Sequence, residues 1–240
     1  MQNRLIVLDR VIGALGILAV TACGNTQPGT TSVTPATPTG TVTDADGNVY
    51  PTIRIGRQEW MVENLKTTKY SDGTAIPQVT DASAWANSTS AAYCWYDNDP
   101  ANKDIYGALY NWYTVQAGKL CPTGWYVPSN DNWDVLATNL GSKTASGGKL
   151  KEAGTAHWQS PNSGATNESG FSALPGGYRY LNGAFMGKGQ RAVWWSTDED
   201  NSAIPPASWF WDVNYDSTTS GGATSYWVVG YSVRCMRGLT

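Results

Sequence analysis

The chain changes its hydrophobic rhythm several times. An unbroken apolar stretch runs from Val11 to Val20, behind Arg4 and Arg10, and a polar stretch with no period follows it. From there Val49 to Ile55 and Gln58 to Leu65 alternate, which predicts a hairpin turning at Gly56-Arg57. Ile105 to Gln116 places Leu109, Trp112 and Tyr113 at helical spacing with Gly118 as a stop, so a helix is expected there. A second helix is signalled by Ser129 as N-cap and Asp131 in the first turn. Trp133, Leu136, Ala137 and Leu140 share its apolar face and Gly141 ends it. Trp112 and Trp133 both fall on core faces. Beyond about residue 160 the periods give way to clusters of Gly, Ser, Asn and aromatic residues, which predict short strands and long turns. No fixed repeat, no regular strand–helix alternation and no glycine-rich phosphate loop is present. The pattern is that of an α+β fold with two helices early and irregular strands and long turns late.

Composition narrows the chemistry. Twelve Trp, thirteen Tyr and twenty-six Gly stand against three Phe and a single His in 240 residues. Sixteen basic and nineteen acidic side chains give a net charge of −3. No basic footprint exists for a nucleic acid, and no nucleic-acid partner is expected. One histidine, His157, rules out a multi-histidine metal site and leaves any Ser-His-Asp or Cys-His set dependent on that residue alone. It is expected to be a loop residue beside Trp158. Asp44-Ala45-Asp46-Gly47-Asn48 has calcium-like oxygens, but its glycine is fourth and Ile55 stands at the twelfth place, so it is expected to be a turn entering a strand. Asp97/Asp99 and Glu199/Asp200 are expected in solvated turns.

The N-terminus carries an address. A short positive segment, a ten-residue apolar core and small residues ahead of Cys23 have the form of an export signal, too short to span a bilayer. The end of this segment, with Val20, Ala22 and Cys23, resembles a bacterial lipoprotein lipobox, which implies cleavage after residue 22 and lipid attachment at Cys23. Residues 24–41 hold seven Thr, three Pro and no charge. Such a segment buries too little apolar surface to order itself and serves as a tether. The expected organisation is a signal peptide over 1–22, the lipidated cysteine and tether over 23–41, and a globular domain over 42–240.

Several blocks inside that domain occur in a familiar order. They include Asp46-Gly47-Asn48-Val49-Tyr50, Trp60-Met61-Val62-Glu63-Asn64-Leu65, Cys94-Trp95-Tyr96-Asp97-Asn98-Asp99 and Tyr106-Gly107-Ala108-Leu109-Tyr110-Asn111-Trp112. Cys121-Pro122-Thr123-Gly124-Trp125, Ala165 to Phe171, Leu174 to Arg179 and Ser232-Val233-Arg234-Cys235 follow. Together they resemble the Fibrobacter succinogenes major paralogous domain, a family of secreted and lipid-anchored bacterial proteins, over nearly all of residues 43–237. Tyr126 and Gly238 depart from its usual pattern. The family is in turn similar to the C-type lectin-like fold, shared with formylglycine-generating enzymes and with ligand-binding proteins diversified by retroelements. The resemblance implies an α+β, C-type lectin-like fold of two helices with small antiparallel sheets, one of them joining the chain ends, and a long loop-rich C-terminal half.

In an oxidising envelope the three cysteines after Cys23 are expected to include one disulfide, and three pairings are open. The resemblance favours Cys121–Cys235, with Cys94 left as a buried thiol. Formylglycine-generating enzymes hold copper with a cysteine pair, and no close pair lies near this C-terminus. Catalysis, metal and cofactor are therefore not expected.

Binding is expected of the late aromatic residues. Trp194 and Trp195 fit a sheet core, whereas Trp209, Phe210, Tyr215, Tyr226 and Trp227, with Asn214 among them, are the candidates for a ligand surface. Rigid rings mixed with small polar residues offer contact area at low entropy cost. In retroelement-diversified relatives the variable positions cluster in this stretch. The expected role is a non-catalytic cell-envelope lipoprotein at the outer membrane or cell surface, held by its lipid and displaying a domain that meets a glycan or a protein. The alternative is a structural envelope lipoprotein with no specific ligand, and a third is an oxidase related to formylglycine-generating enzymes.

Overall fold

A computed structural model describes residues 36–205 and 207–239. The signal segment, Cys23 and most of the tether lie outside the described residues. The chain enters a four-stranded antiparallel sheet through β1 (Gly40–Thr43), β2 (Val49–Ile55) and β3 (Gln58–Met61). The predicted hairpin at Gly56-Arg57 is present, with Ile55 paired to Gln58, although its second strand stops at Met61 instead of Leu65. Asp44 shapes the turn before β2: its Oδ1 accepts from the backbone N–H of Asp46 and Asn48, both at 2.9 Å, and its Oδ2 from Asn48 Nδ2. Asp46 in turn accepts from Thr68 and pairs with Lys69 at 3.1 Å. The calcium-like run is thus a turn whose carboxylates are occupied from within the protein.

Next come α1 (Ala82–Ala86), β4 (Tyr93–Cys94), a 3-10 turn at Tyr96–Asn98, α2 (Asn102–Tyr106), β5 (Leu109–Tyr110) and α3 (Trp112–Gln116). The single helix expected over 105–116 is therefore divided. Gly107 is the cause. It adopts φ 75° against the Asn64–Leu65 backbone, where a Cβ would come within 2.7 Å of Asn64 Cβ and 2.8 Å of the Leu65 carbonyl oxygen. That close approach lets Ala108 donate to Leu65 and turns Leu109–Tyr110 into a strand against β4. The second expected helix forms as read: α4 (Asn130–Asn139) starts on a Ser129 capping box with Asn132, buries Trp133, Leu136 and Ala137, and ends at Gly141 with φ 108°. A further helix, α5 (Lys143–Leu150), follows at once, and its glycine-rich sequence gave no helical signal. Gly147 and Gly148 sit there because a side chain at either would strike the backbone of Thr219 or Gly164.

The second half holds β6 (Gly176–Arg179), β7 (Phe185–Lys188), β8 (Arg191–Asp200), β9 (Ala207–Asn214), β10 (Ser220–Tyr226) and β11 (Met236–Gly238). The strands β10, β9 and β8 form a three-stranded antiparallel sheet. They are longer than the expected short strands. From Ala192 to Ser196 β8 is buried on both faces, so its sequence does not alternate. One face packs Ala192, Trp194, Trp211 and Val213 on α4; the other packs Val193 and Trp195 with Tyr110, Tyr231 and Val233. The last strand, β11, pairs with β3 and so joins the two ends of the domain in one sheet. The Cys121–Cys235 disulfide closes beside it, and Cys94 is a free buried thiol, as the resemblance implied. The described residues form an α+β domain with five helices where two were expected. No described helix is long and apolar enough to cross a membrane.

Candidate functional site

The rings of the second half stand in a graded series from core to surface. Trp194 and Trp195 are buried, as expected. On the β8–β9 face away from α4, Trp195 packs edge-on against Tyr231 at 4.6 Å, and Tyr231 contacts Phe210 at 5.0 Å and Tyr178 at 5.8 Å. Phe210, Tyr178 and Tyr231 then line an open cleft of about 490 Å³ with Tyr180, Tyr226 and Arg191. A second hollow of about 400 Å³ adjoins it, lined by Tyr113, Pro205, Trp227 and Val228, and Leu181 and Tyr226 belong to both. Trp227 is fixed by stacking on Trp112 at 4.7 Å and by the edge of Tyr113 at 5.5 Å. Side chains braced this way keep their geometry when free, so little freedom is lost when something binds.

The cleft is nearly neutral. Arg191 is the one charged residue lining it, and it pairs with Asp212 while lying 5.5 Å from the centre of the Tyr178 ring. Burial would lower the Arg191 pKa, but the Asp212 carboxylate outweighs it and raises it. Tyr231 donates its hydroxyl to Ser225 Oγ at 3.1 Å, and burial pushes its pKa up to about 12, so the phenol stays protonated. Flat apolar faces, the neutral hydroxyl of Ser225 and one compensated cation can hold a ligand by stacking and hydrogen bonding.

The six sequence-predicted residues separate into groups. Phe210, Tyr226 and Trp227 meet at the two hollows. Asn214 stands behind them: its side chain donates to Asp212 at 3.2 Å, which in turn holds Arg191. Trp209 is 36 % exposed but lies on the opposite face of β9, across from Thr224. Tyr215 packs half-buried against the α4 side of the core, with its backbone bonded to Gln190 and Ser163. Tyr178, Tyr180 and Ile204 were missed. The signal for the first two was present, because Arg179 between them points inward. It is fully buried, donating to the carbonyls of Val79, Thr80 and Gly183 and stacking on Trp85, which turns Tyr178 and Tyr180 outward. Ile204, 98 % exposed at the cleft lip, has no periodic signal around it.

The described cysteines and the histidine do not line either hollow. Burial pushes the Cys94 thiol up to about 12, and the other two described cysteines are joined to each other. His157 is a loop residue next to Trp158, with Nδ1 2.9 Å from Glu152. Among the described residues no three His, Cys, Asp or Glu side chains gather as a metal-holding set.

The order of strands and the joined chain ends carry the motif blocks of the resemblance, and a family model, the Fibrobacter succinogenes major domain, matches residues 53–237. The chain belongs to this family. Within this Fibrobacter succinogenes major domain the match begins inside β2 and ends inside β11, so it spans both hollows and the disulfide. No curated protein and no solved structure matches the chain.

Proposed function

We propose that this protein is a non-catalytic lipoprotein of the cell envelope, anchored through Cys23 at the outer membrane or cell surface, whose domain of C-type lectin-like type binds a glycan or a protein. One observation carries this reading: Phe210 on one strand and the neighbours Tyr226 and Trp227 converge with Tyr178 and Tyr180 on two adjoining hollows. A sheet joining the chain ends and a C-terminal half that presents the ligand surface support the lectin-like assignment. The export signal and lipobox support the anchor, with the Thr/Pro-rich segment holding the domain off the membrane. A buried free thiol, a cysteine pair joined as a disulfide and a nearly neutral cleft support binding over an oxidase related to formylglycine-generating enzymes.

The second reading is a structural envelope lipoprotein without a specific ligand. It is favoured by the burial of seven of the twelve tryptophans to 2 % exposure or less, where they build the core. A glycan and cell-surface binding screen on the mature protein separates the two. Binding by the parent that is lost in Tyr226→Ala and Phe210→Ala at unchanged Tm supports the receptor role. A parent that binds nothing supports the structural one.

A further inference from the structure

A smaller hollow of about 230 Å³ lies apart from the aromatic cleft and shares no lining residue with it. Its lining includes Arg234, which is 1 % exposed. A guanidinium carries five N–H donors. Here Nε and Nη2 both donate to Asn64 Oδ1, at 3.1 and 2.8 Å, and Nη1 donates to the Phe171 carbonyl. Two N–H groups are left, one on each terminal nitrogen, to donate to a further acceptor. None of the ion pairs among the described residues includes Arg234. The Phe171 ring 4.2 Å away eases the charge without offering an in-plane acceptor. Burial pushes the Arg234 pKa down to about 9, with Glu63 opposing. A buried cation without a counter-ion is expensive to keep.

The other lining groups have the opposite sign. Glu63 and Glu152 line the hollow beside Ile105 and Ser172. Lys66 is shared between Glu63 at 3.5 Å and Asp104 at 3.3 Å, and Glu152 is bonded to His157 at 2.9 Å, so three carboxylates stand against one lysine and one histidine. A simple anion would be repelled by the glutamates, and a simple cation by the guanidinium. The volume is below the range of about 300–1,000 Å³ usual for drug-sized ligands.

We propose that this hollow binds a small zwitterion of the α-amino-acid type, its carboxylate on the terminal nitrogens of Arg234 and its ammonium between Glu63 and Glu152. The site is independent of the aromatic cleft. Titration of the mature protein with L-serine, acetate and ethylammonium, followed by amide chemical shifts, tests it. Serine should bind with a Kd on the order of 1 mM, and each half-ligand at least about tenfold more weakly. Glu63→Gln and Glu152→Gln replace partly exposed side chains and leave the core intact; each should weaken serine about tenfold and not weaken acetate. Arg234→Lys keeps the charge but loses the fork, and should weaken both serine and acetate. If that variant fails to fold, the two glutamate variants decide. Absence of serine binding by the folded parent, acetate binding as tight as serine, or serine binding unchanged in both glutamate variants overturns the proposal.

Discussion

At the scale of single residues, buried charge does more in this domain than its low charged content suggests. Lys151 is fully buried, and its three ammonium protons match three carbonyls, those of Ser163, Asn214 and Ser217, at 2.8 to 3.0 Å. It thereby ties two loops and the end of β9 to α5. Burial pushes its pKa down to about 8, with Asp216 opposing. Between that value and the ordinary lysine value of about 10.4 the unfolded chain binds more protons than the folded one. Stability from this group therefore rises with pH across that window. Lys151→Met should lack the rise, so thermal unfolding of parent and variant from pH 7 to 10.5 should give Tm curves that are not parallel. The variant should also be less stable at pH 7, because three carbonyls lose their donor. Nothing in the sequence around Lys151 marks it as buried. Its charge reads as surface until α5 and the two loops are placed in space.

At the scale of elements, the joining of the chain ends depends on a few side chains between strands. Glu59 on β3 accepts from Thr52 on β2 at 2.7 Å and pairs with Arg237 on β11 at 2.7 Å. Burial would raise the Glu59 pKa, but the Thr52 hydroxyl and Arg237 outweigh it and hold it below the ordinary value. Its contribution is therefore present above the ordinary glutamate pKa, about 4.3, and is lost as pH falls through the lowered folded value. Glu59→Gln should flatten the acid side of the Tm profile and leave the alkaline side unchanged. The disulfide works on the same sheet. Cys121 and Cys235 are 114 residues apart, and closing a loop of that size is worth about 4–5 kcal/mol in the chain-entropy model. The Cys121→Ser, Cys235→Ser double variant should lose about that much in a denaturant titration. Sequence signals were good where an element is local and one-sided. The hairpin and α4 are legible because alternation, a Ser129 cap and a terminal glycine sit within a few residues of each other. They failed where a distant segment decides the local form. Gly107 breaks a helix-like pattern because Asn64 and Leu65 pass beside it, and β8 hides its strand period because both faces are covered.

At the scale of the whole molecule, the candidate site is a consequence of how two sheets and a loop share one aromatic core. Composition alone pointed to three residues of the two hollows, since Phe210, Tyr226 and Trp227 fall in the ring-rich stretch. Composition could not say which face each ring takes. Strand parity does: on β9, Phe210 faces the cleft while Trp209 faces the other side and Trp211 enters the α4 core. Rings in the core, on the far face and at the cleft should therefore differ sharply in what their loss does. Trp211→Ala removes a ring that stacks at 6.0 Å on Trp133 and is 4 % exposed, so it should cost about 3–5 kcal/mol of stability. Trp209→Ala, at an exposed position, should change stability by less than about 0.5 kcal/mol and leave ligand capture by the cleft unaltered. Tyr226→Ala, 43 % exposed and common to both hollows, should also leave Tm nearly unchanged yet abolish capture. Chemical denaturation together with a surface-binding assay reads all three variants in one series. If Trp209→Ala abolished capture and Tyr226→Ala did not, the binding face would be the α4 side of the sheet and the cleft assignment would fall.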